Sequence, residues 1–206
     1  MYRYQRYFYD LTRKYYLVGR DKLIAEMNVQ SGENVLEVGC GTGRNLTLLS
    51  RKYPQARFFG LDASSEMLKT AQGKVDTQKI ENIELKVALA DDFTFAETFG
   101  LDKPFDTIIF SYSISMIPPW KESILNALQN LKPGGSFYIV DFYDQKDLPR
   151  WFQRLLQGWL RQFHVRFWGE LMPYLEDLEK QGLGRLTVTS LYRRYAFIAE
   201  FQKSRG

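Results

Sequence analysis

The chain holds a single cysteine and a single histidine in 206 residues. Cys40 alone forms no internal disulfide, and His164 beside it is too little for a Cys/His metal cluster. A metal-free chain in a reducing, cytoplasmic compartment is the expectation. Long apolar runs are missing too, none approaching the roughly 18 residues needed to cross a bilayer. The opening Met1-Tyr2-Arg3-Tyr4-Gln5-Arg6 is basic without an uninterrupted apolar core, and so does not read as a secretory leader. No repeat, low-complexity tract or Pro/Gly/Ser linker divides the chain, so residues 1–206 read as one domain. An apolar content of 45% excludes intrinsic disorder and suffices for a sizeable core.

The net charge of +4 is modest but unevenly placed. Residues 1–23 carry Arg3, Arg6, Arg13, Lys14, Arg20 and Lys22 against Asp10 and Asp21. Residues 145–170 carry Lys146, Arg150, Arg154, Arg161 and Arg166 against Asp147 and Glu170. Both segments are rich in aromatics, which suits a phosphate-bearing or membrane partner as well as an ordinary solvated face.

Short β-rich runs alternate with helical patterns. Residues 34–38, 57–61, 83–88, 106–111 and 136–142 read as strands, and 44–52, 64–75 and 120–131 as helices. That alternation predicts an α/β fold, a mostly parallel sheet with helices on both faces and ligands at the carboxyl ends of its strands. Residues 186–190 and 195–201 are close enough to form an antiparallel hairpin turning near Arg193.

The run Val35-Leu36-Glu37-Val38-Gly39-Cys40-Gly41-Thr42-Gly43 joins the first strand to the first helix. Its glycines allow a sharp turn and close approach of a ligand, and the helix behind presents its free N–H groups there. The spacing G-x-G-x-G differs from the G-x-G-x-x-G of dinucleotide sites. Asp62 ends the second strand in Phe59-Gly60-Leu61-Asp62-Ala63-Ser64, where a carboxylate can accept both hydroxyls of a ribose. Ser64 is the better helix cap, and Cys40 reads as a small filler within the turn.

The glycine turn after an acidic residue resembles motif I of class I methyltransferases. Phe105-Asp106-Thr107-Ile108-Ile109-Phe110 and Leu131-Lys132-Pro133-Gly134-Gly135 resemble the fourth strand and the turn before the fifth, so the resemblance covers residues 34–142. It implies a Rossmann-like fold, with S-adenosylmethionine as cofactor and S-adenosylhomocysteine as product. The cofactor site it implies draws on Glu37 for the ammonium, Gly39, Cys40 and Gly41 in the turn, Asp62 and Ala63 at the ribose, and Ser111. In Leu89-Ala90-Asp91-Asp92-Phe93 it implies a carboxylate on the adenine amino group, Asp91 first and Asp92 second, with Phe93 as apolar neighbour of the ring.

For the acceptor, the [DNS]-P-P-[FYW] sequence of nucleic-acid and glutamine N-methyltransferases is absent after the fourth strand. Pro118-Pro119 come later and read as the start of the helix at Trp120. No nucleic-acid partner is expected. Residues 1–30 read as a helical lid. Within it, the stretch from Tyr7 to Lys22, together with Tyr192-Arg193-Arg194-Tyr195-Ala196-Phe197, resembles the N-methyltransferase of betaine-lipid synthesis. That family methylates the amine of diacylglyceryl-homoserine three times. The resemblance implies Tyr9, Tyr16 and Tyr112 as catalytic candidates, with Tyr15 and Arg13 or Arg20 toward the acceptor. Tyrosine hydroxyls can orient an amine, and their rings tolerate its cationic products. Quinone C-methyltransferases, with a similar lid, are the alternative, and a membrane-binding module with a silent fold is a third reading.

A lipid acceptor calls for contact with an anionic membrane surface, peripherally and from the cytoplasmic side. At 100° per residue, Trp151, Phe152, Leu155, Leu156, Trp159, Leu160, Phe163 and Phe167 share one half of a helix, with Arg150, Arg154 and Arg161 opposite. Such a helix suits either the core or a bilayer surface. His164 is a proton relay or a structural residue.

Overall fold

The computed structural model describes residues 17–161 and 169–205. Tyr9, Arg13, Tyr15, Tyr16 and His164 lie outside the described residues, as does most of the stretch read as a lid. The elements in chain order are α1 (Arg20–Glu26), β1 (Asn34–Val38), α2 (Arg44–Lys52), β2 (Arg57–Asp62), α3 (Ser65–Thr77), β3 (Ile83–Val87) and α4 (Phe95–Phe99). After them come β4 (Phe105–Ser111), a 3-10 turn (Ile114–Met116), α5 (Trp120–Gln129), β5 (Leu131–Phe142), α6 (Arg150–Arg161), α7 (Leu171–Lys180), β6 (Gly184–Leu191) and β7 (Ala196–Lys203).

The seven strands form one sheet in the order β3-β2-β1-β4-β5-β7-β6. The first five are parallel, and β7 runs antiparallel to both β5 and β6. The α/β class and the closing hairpin are as the sequence implied. Strands buried on both faces need continuous apolar runs rather than alternation, and β1 follows this rule, with Val35, Leu36 and Val38 fully buried. Leu36 and Val38 meet Phe59, Phe105 and Phe110 on one face; Val35 meets Leu46, Leu49 and Phe58 on the other. Phe59, Phe99 and Phe105 pack edge to face at 5.3–5.7 Å. Across the antiparallel pair, Phe137 and Phe201 lie opposite one another and stack at 5.2 Å.

Most boundaries lie within one or two residues of the sequence reading, and the start of β5 departs further. β5 starts at Leu131 rather than at 136, because Leu131 already pairs with Phe105, residues 132–135 of β5 forming an irregularity before Ser136 pairs with Thr107. The preceding helix accordingly ends at Gln129. The helix α7 did not stand out in the sequence, although Leu171, Leu175 and Leu178 form its buried stripe.

Strand order reverses between β1 and β4, which both run from the sheet's centre. In doubly wound sheets the crevice for a ligand opens at such a point, beyond the carboxyl ends of the strands. The glycine turn after β1 and the segment after β4 meet there.

Candidate active site

A cavity of about 620 Å³ occupies this crevice, a size suited to a nucleoside-bearing ligand. Its base is the glycine turn. Gly39 has φ +71°, and a β-carbon on it would come within 2.6 Å of the Ser113 β-carbon, so only glycine lets the loop after β4 pack so close. The amides of Gly39 and Cys40 both donate to the Leu61 carbonyl, at 2.8 and 3.0 Å, tying the turn to the end of β2. The Cys40 side chain is buried against Gly60, which fits a small filler.

Glu37 lies in the cavity wall and is 2% exposed. Its Oε1 accepts from the Asn45 side-chain amide at 2.7 Å, and its Oε2 has no hydrogen-bond partner. An unpartnered buried carboxylate oxygen costs free energy unless a donor arrives. Burial pushes the carboxyl up to about 7, against the opposing pull of Asn45 and the Arg20 charge, while Asp62 adds to the rise. Asn45 also donates to Ser111 Oγ at 3.0 Å and so braces two walls together. The sequence reading missed Asn45; its signal was a polar side chain in the first turn behind the glycines.

Asp62 sits opposite. One oxygen accepts from the Ser64 amide at 2.8 Å and the other from the Gly41 amide at 2.9 Å. These bonds fix the carboxylate in orientation and leave a lone pair on each oxygen for a diol. Ser64, with its hydroxyl accepting from the Met67 amide, caps α3 as expected. Ala63, Asp91 and Ser111 also line the cavity. Asp92 and Phe93 are not among its lining residues. Phe93 is 2% exposed and packs in the core, and its backbone carbonyl accepts from Asn126 and Asn130. Leu89 and Ala90, with Met116 and Ile117 from the 3-10 turn and the residue after it, supply apolar lining to the cavity.

Arg20 and Tyr112 close the other end. Arg20 begins α1, is buried, and donates from Nε to the Leu17 carbonyl at 3.1 Å. α1 is pinned over the site by Arg44, which reaches Asp21 at 2.8 Å, and by Lys52, which donates to the Ile24 and Ala25 carbonyls. Tyr112 adopts φ +54°, rare for a residue with a β-carbon. Its amide donates to the Val140 carbonyl, and its hydroxyl donates to the Val18 carbonyl at 2.5 Å. Burial raises its phenol well above the ordinary value, so it stays neutral.

A glycine turn flanked by acidic residues at the ends of adjacent strands, set at the switch point, is the arrangement that the resemblance to class I methyltransferases implied. A family model described as a methyltransferase domain matches residues 29–179, and the chain belongs to that family. It is similar to demethylmenaquinone methyltransferase of Listeria welshimeri, 29% identical over 144 residues, which cover 69% of this chain and 58% of that enzyme. Fatty-acid O-methyltransferase of Mycolicibacterium smegmatis is 29% identical over 135 residues, 66% of this chain and 46% of that one. Among solved structures, an S-adenosylmethionine-dependent methyltransferase from Aquifex aeolicus superimposes with a TM-score of 0.66 at 20% identity, over 93% of either chain.

The cofactor is S-adenosylmethionine, and the cavity fits it. Glu37 Oε2, which lacks a partner, would meet the ammonium, the free lone pairs of Asp62 would accept from the ribose hydroxyls, and Asp91 and Leu89 in the cavity lining would face the adenine. Among the described residues no helix is long and apolar enough to cross a membrane.

Proposed function

We propose that this domain methylates the amine of a lipid headgroup, diacylglyceryl-homoserine, in successive rounds that end at the trimethylated betaine. The observation that carries this reading is the state of Tyr112. Its hydroxyl hydrogen is committed to the Val18 carbonyl, so only its lone pairs remain for the cavity it lines. An acceptor-only oxygen complements an N–H donor. It orients the primary and secondary amines of the first two rounds with the nitrogen lone pair left free, whereas the tertiary amine of the last round has no N–H and is placed by the cavity walls. A phenol held neutral does not compete for the proton. Bound S-adenosylmethionine supplies a methyl group on a sulfonium, an electrophile that a neutral amine attacks directly. Positioning is then the main task of the chain's own residues. Arg20, in the same wall, is suited to a headgroup carboxylate.

The similarity to demethylmenaquinone methyltransferases supports a second reading, carbon methylation of a prenylated quinone precursor. Labelled methyl donor with diacylglyceryl-homoserine in micelles is expected to yield mono-, di- and trimethylated lipid by mass spectrometry. Label entering a demethylated quinol instead, with the amine untouched, selects the second reading.

Either acceptor lies in a bilayer, and α6 offers the contact. Leu156 joins the buried cluster that also holds Leu17 and Tyr112, which fastens α6 beside the cavity. Trp151 and Leu155, one turn apart, are 70% and 68% exposed, and Arg150 and Arg154 beside them are exposed. Of the apolar side chains described on this helix, Leu156 is buried and Trp151 and Leu155 are exposed, a pattern suited to an anionic interface. Changing Arg150, Arg154 and Arg161 together to Gln is expected to weaken co-sedimentation with anionic vesicles at least tenfold, since each basic residue contributes roughly 1 kcal/mol there. S-adenosylhomocysteine affinity should stay the same. Equal sedimentation of both proteins would remove α6 from the membrane.

A further inference from the structure

A second cavity, of about 400 Å³, lies across the 3-10 turn from the first. The turn and its flanks form a shared wall: Ser113 and Met116 line the donor cavity, Ile114 and Ser115 the second. The second cavity is built around a buried carboxylate. Asp141, at the end of β5, is 2% exposed and accepts from the amides of Ser115 at 3.0 Å and Phe142 at 2.8 Å. Among the described residues no cationic side chain pairs with it. Beside it, Ser115 is 5% exposed, and its buried Oγ has no hydrogen-bond partner.

The rim carries two cations. Asp144 there is gripped by Arg194 through both carboxylate oxygens, Nε lying at 2.6 Å, and also meets Lys146 at 3.3 Å. Arg194 also feels the charge of Asp147, and the Lys146 side chain is 76% exposed. Leu171, Met172 and Phe197 supply apolar walls between the two levels. Burial pushes Asp141 up to about 6, against the pull of the donors from Ser115 and Phe142.

We propose that this second cavity binds an ammonium carboxylate of amino-acid type. The ammonium lies against Asp141 and the Ser115 hydroxyl, and the carboxylate lies at Lys146 and Arg194. Lys146 and Arg194 offer charge-assisted donors to the carboxylate, and an N–H donor satisfies the Ser115 oxygen that has no partner. A free amino acid and an aminoacyl-type lipid headgroup share this chemistry. The lipid as source rests on the function proposed above, whereas the binding chemistry does not.

The test uses the full chain saturated with S-adenosylhomocysteine, so that the donor cavity is filled. O-methylhomoserine is the soluble probe, and diacylglyceryl-homoserine in neutral micelles is the lipid probe. Saturable binding is expected by nuclear magnetic resonance titration. It should be at least tenfold weaker in Ser115→Ala, at least threefold weaker in Lys146→Ala, and at least tenfold weaker for the N-acetylated probe. Lys146 is exposed and Ser115 loses one atom, so both variants should fold, with unchanged S-adenosylhomocysteine affinity as the control. Tighter binding of the lipid probe identifies the headgroup as ligand, and equal binding identifies the free amino acid. Absence of saturable binding, wild-type affinity in either variant, or equal binding of the N-acetylated probe overturns the proposal. Methyl transfer to a quinol would sink the lipid-amine function yet leave this binding result standing.

Discussion

Asp62→Ala is expected to weaken S-adenosylhomocysteine binding by roughly 10²- to 10⁴-fold in titration calorimetry. The variant loses two charge-assisted hydrogen bonds to the ribose diol, each on the order of 1.5–3 kcal/mol. The same carboxylate also accepts from the amides of Gly41 and Ser64. Its removal therefore frees the glycine turn from the start of the segment that leads into α3. Asp62→Asn keeps one acceptor oxygen and should fall between wild type and alanine. Affinity unchanged in the alanine variant would place the ribose elsewhere.

Glu37 governs the second large effect, in which binding and stability move in opposite directions with pH. Its carboxyl is pushed up to about 7 in the free folded protein, from an ordinary value of 4.5. A group raised on folding binds more protons in the folded state, so its stabilising contribution is full below 4.5 and lost as pH rises through 7. That difference corresponds to about 3 kcal/mol at most. Between pH 5 and pH 8, thermal unfolding of the free protein should become easier by an increment that Glu37→Gln lacks. Asp141, raised to about 6 by burial, acts in the same direction and is common to both proteins. Affinity for S-adenosylmethionine should instead rise over this range, as the carboxylate that meets its ammonium becomes ionised, and Glu37→Gln should flatten the rise. Parallel pH profiles for wild type and variant, in unfolding and in titration calorimetry, would refute this role for Glu37.

The central strands were readable because their apolar runs stop at glycine or at charge. The bounds of β1 and α2 match the reading residue for residue, since Gly39 and Gly43 interrupt the chain on either side of the turn. Glu37 and Asp62 come together in one cavity, because both lie at the ends of adjacent strands. The place of Phe93 was not legible, because its ring packs in a core cluster built by residues distant in the chain, Phe105 and Ile124 among them. Tyr112 was legible as a candidate but not as a latch, because its partner Val18 is distant in the chain. The apolar half of α6 had two competing readings, core or bilayer surface; Leu156 is buried as the core reading has it, while Trp151 and Leu155 are exposed.

The place of β7 bears on how the chain comes to be folded as it is made. β5 lies within the sheet, yet one of its edges is covered only by β7, the last strand of the sheet to be synthesised. Until residues 196–203 clear the ribosome, the nascent domain carries an open edge of unpaired amides and carbonyls, the kind of edge that recruits other chains. Five parallel strands can assemble as they emerge, but closure waits for a contact distant in sequence, and such contacts form slowly. A chain terminated before residue 196 would hold most of its methyl-donor cavity and still be an aggregation-prone fragment, dependent on chaperones for its lifetime in the cell.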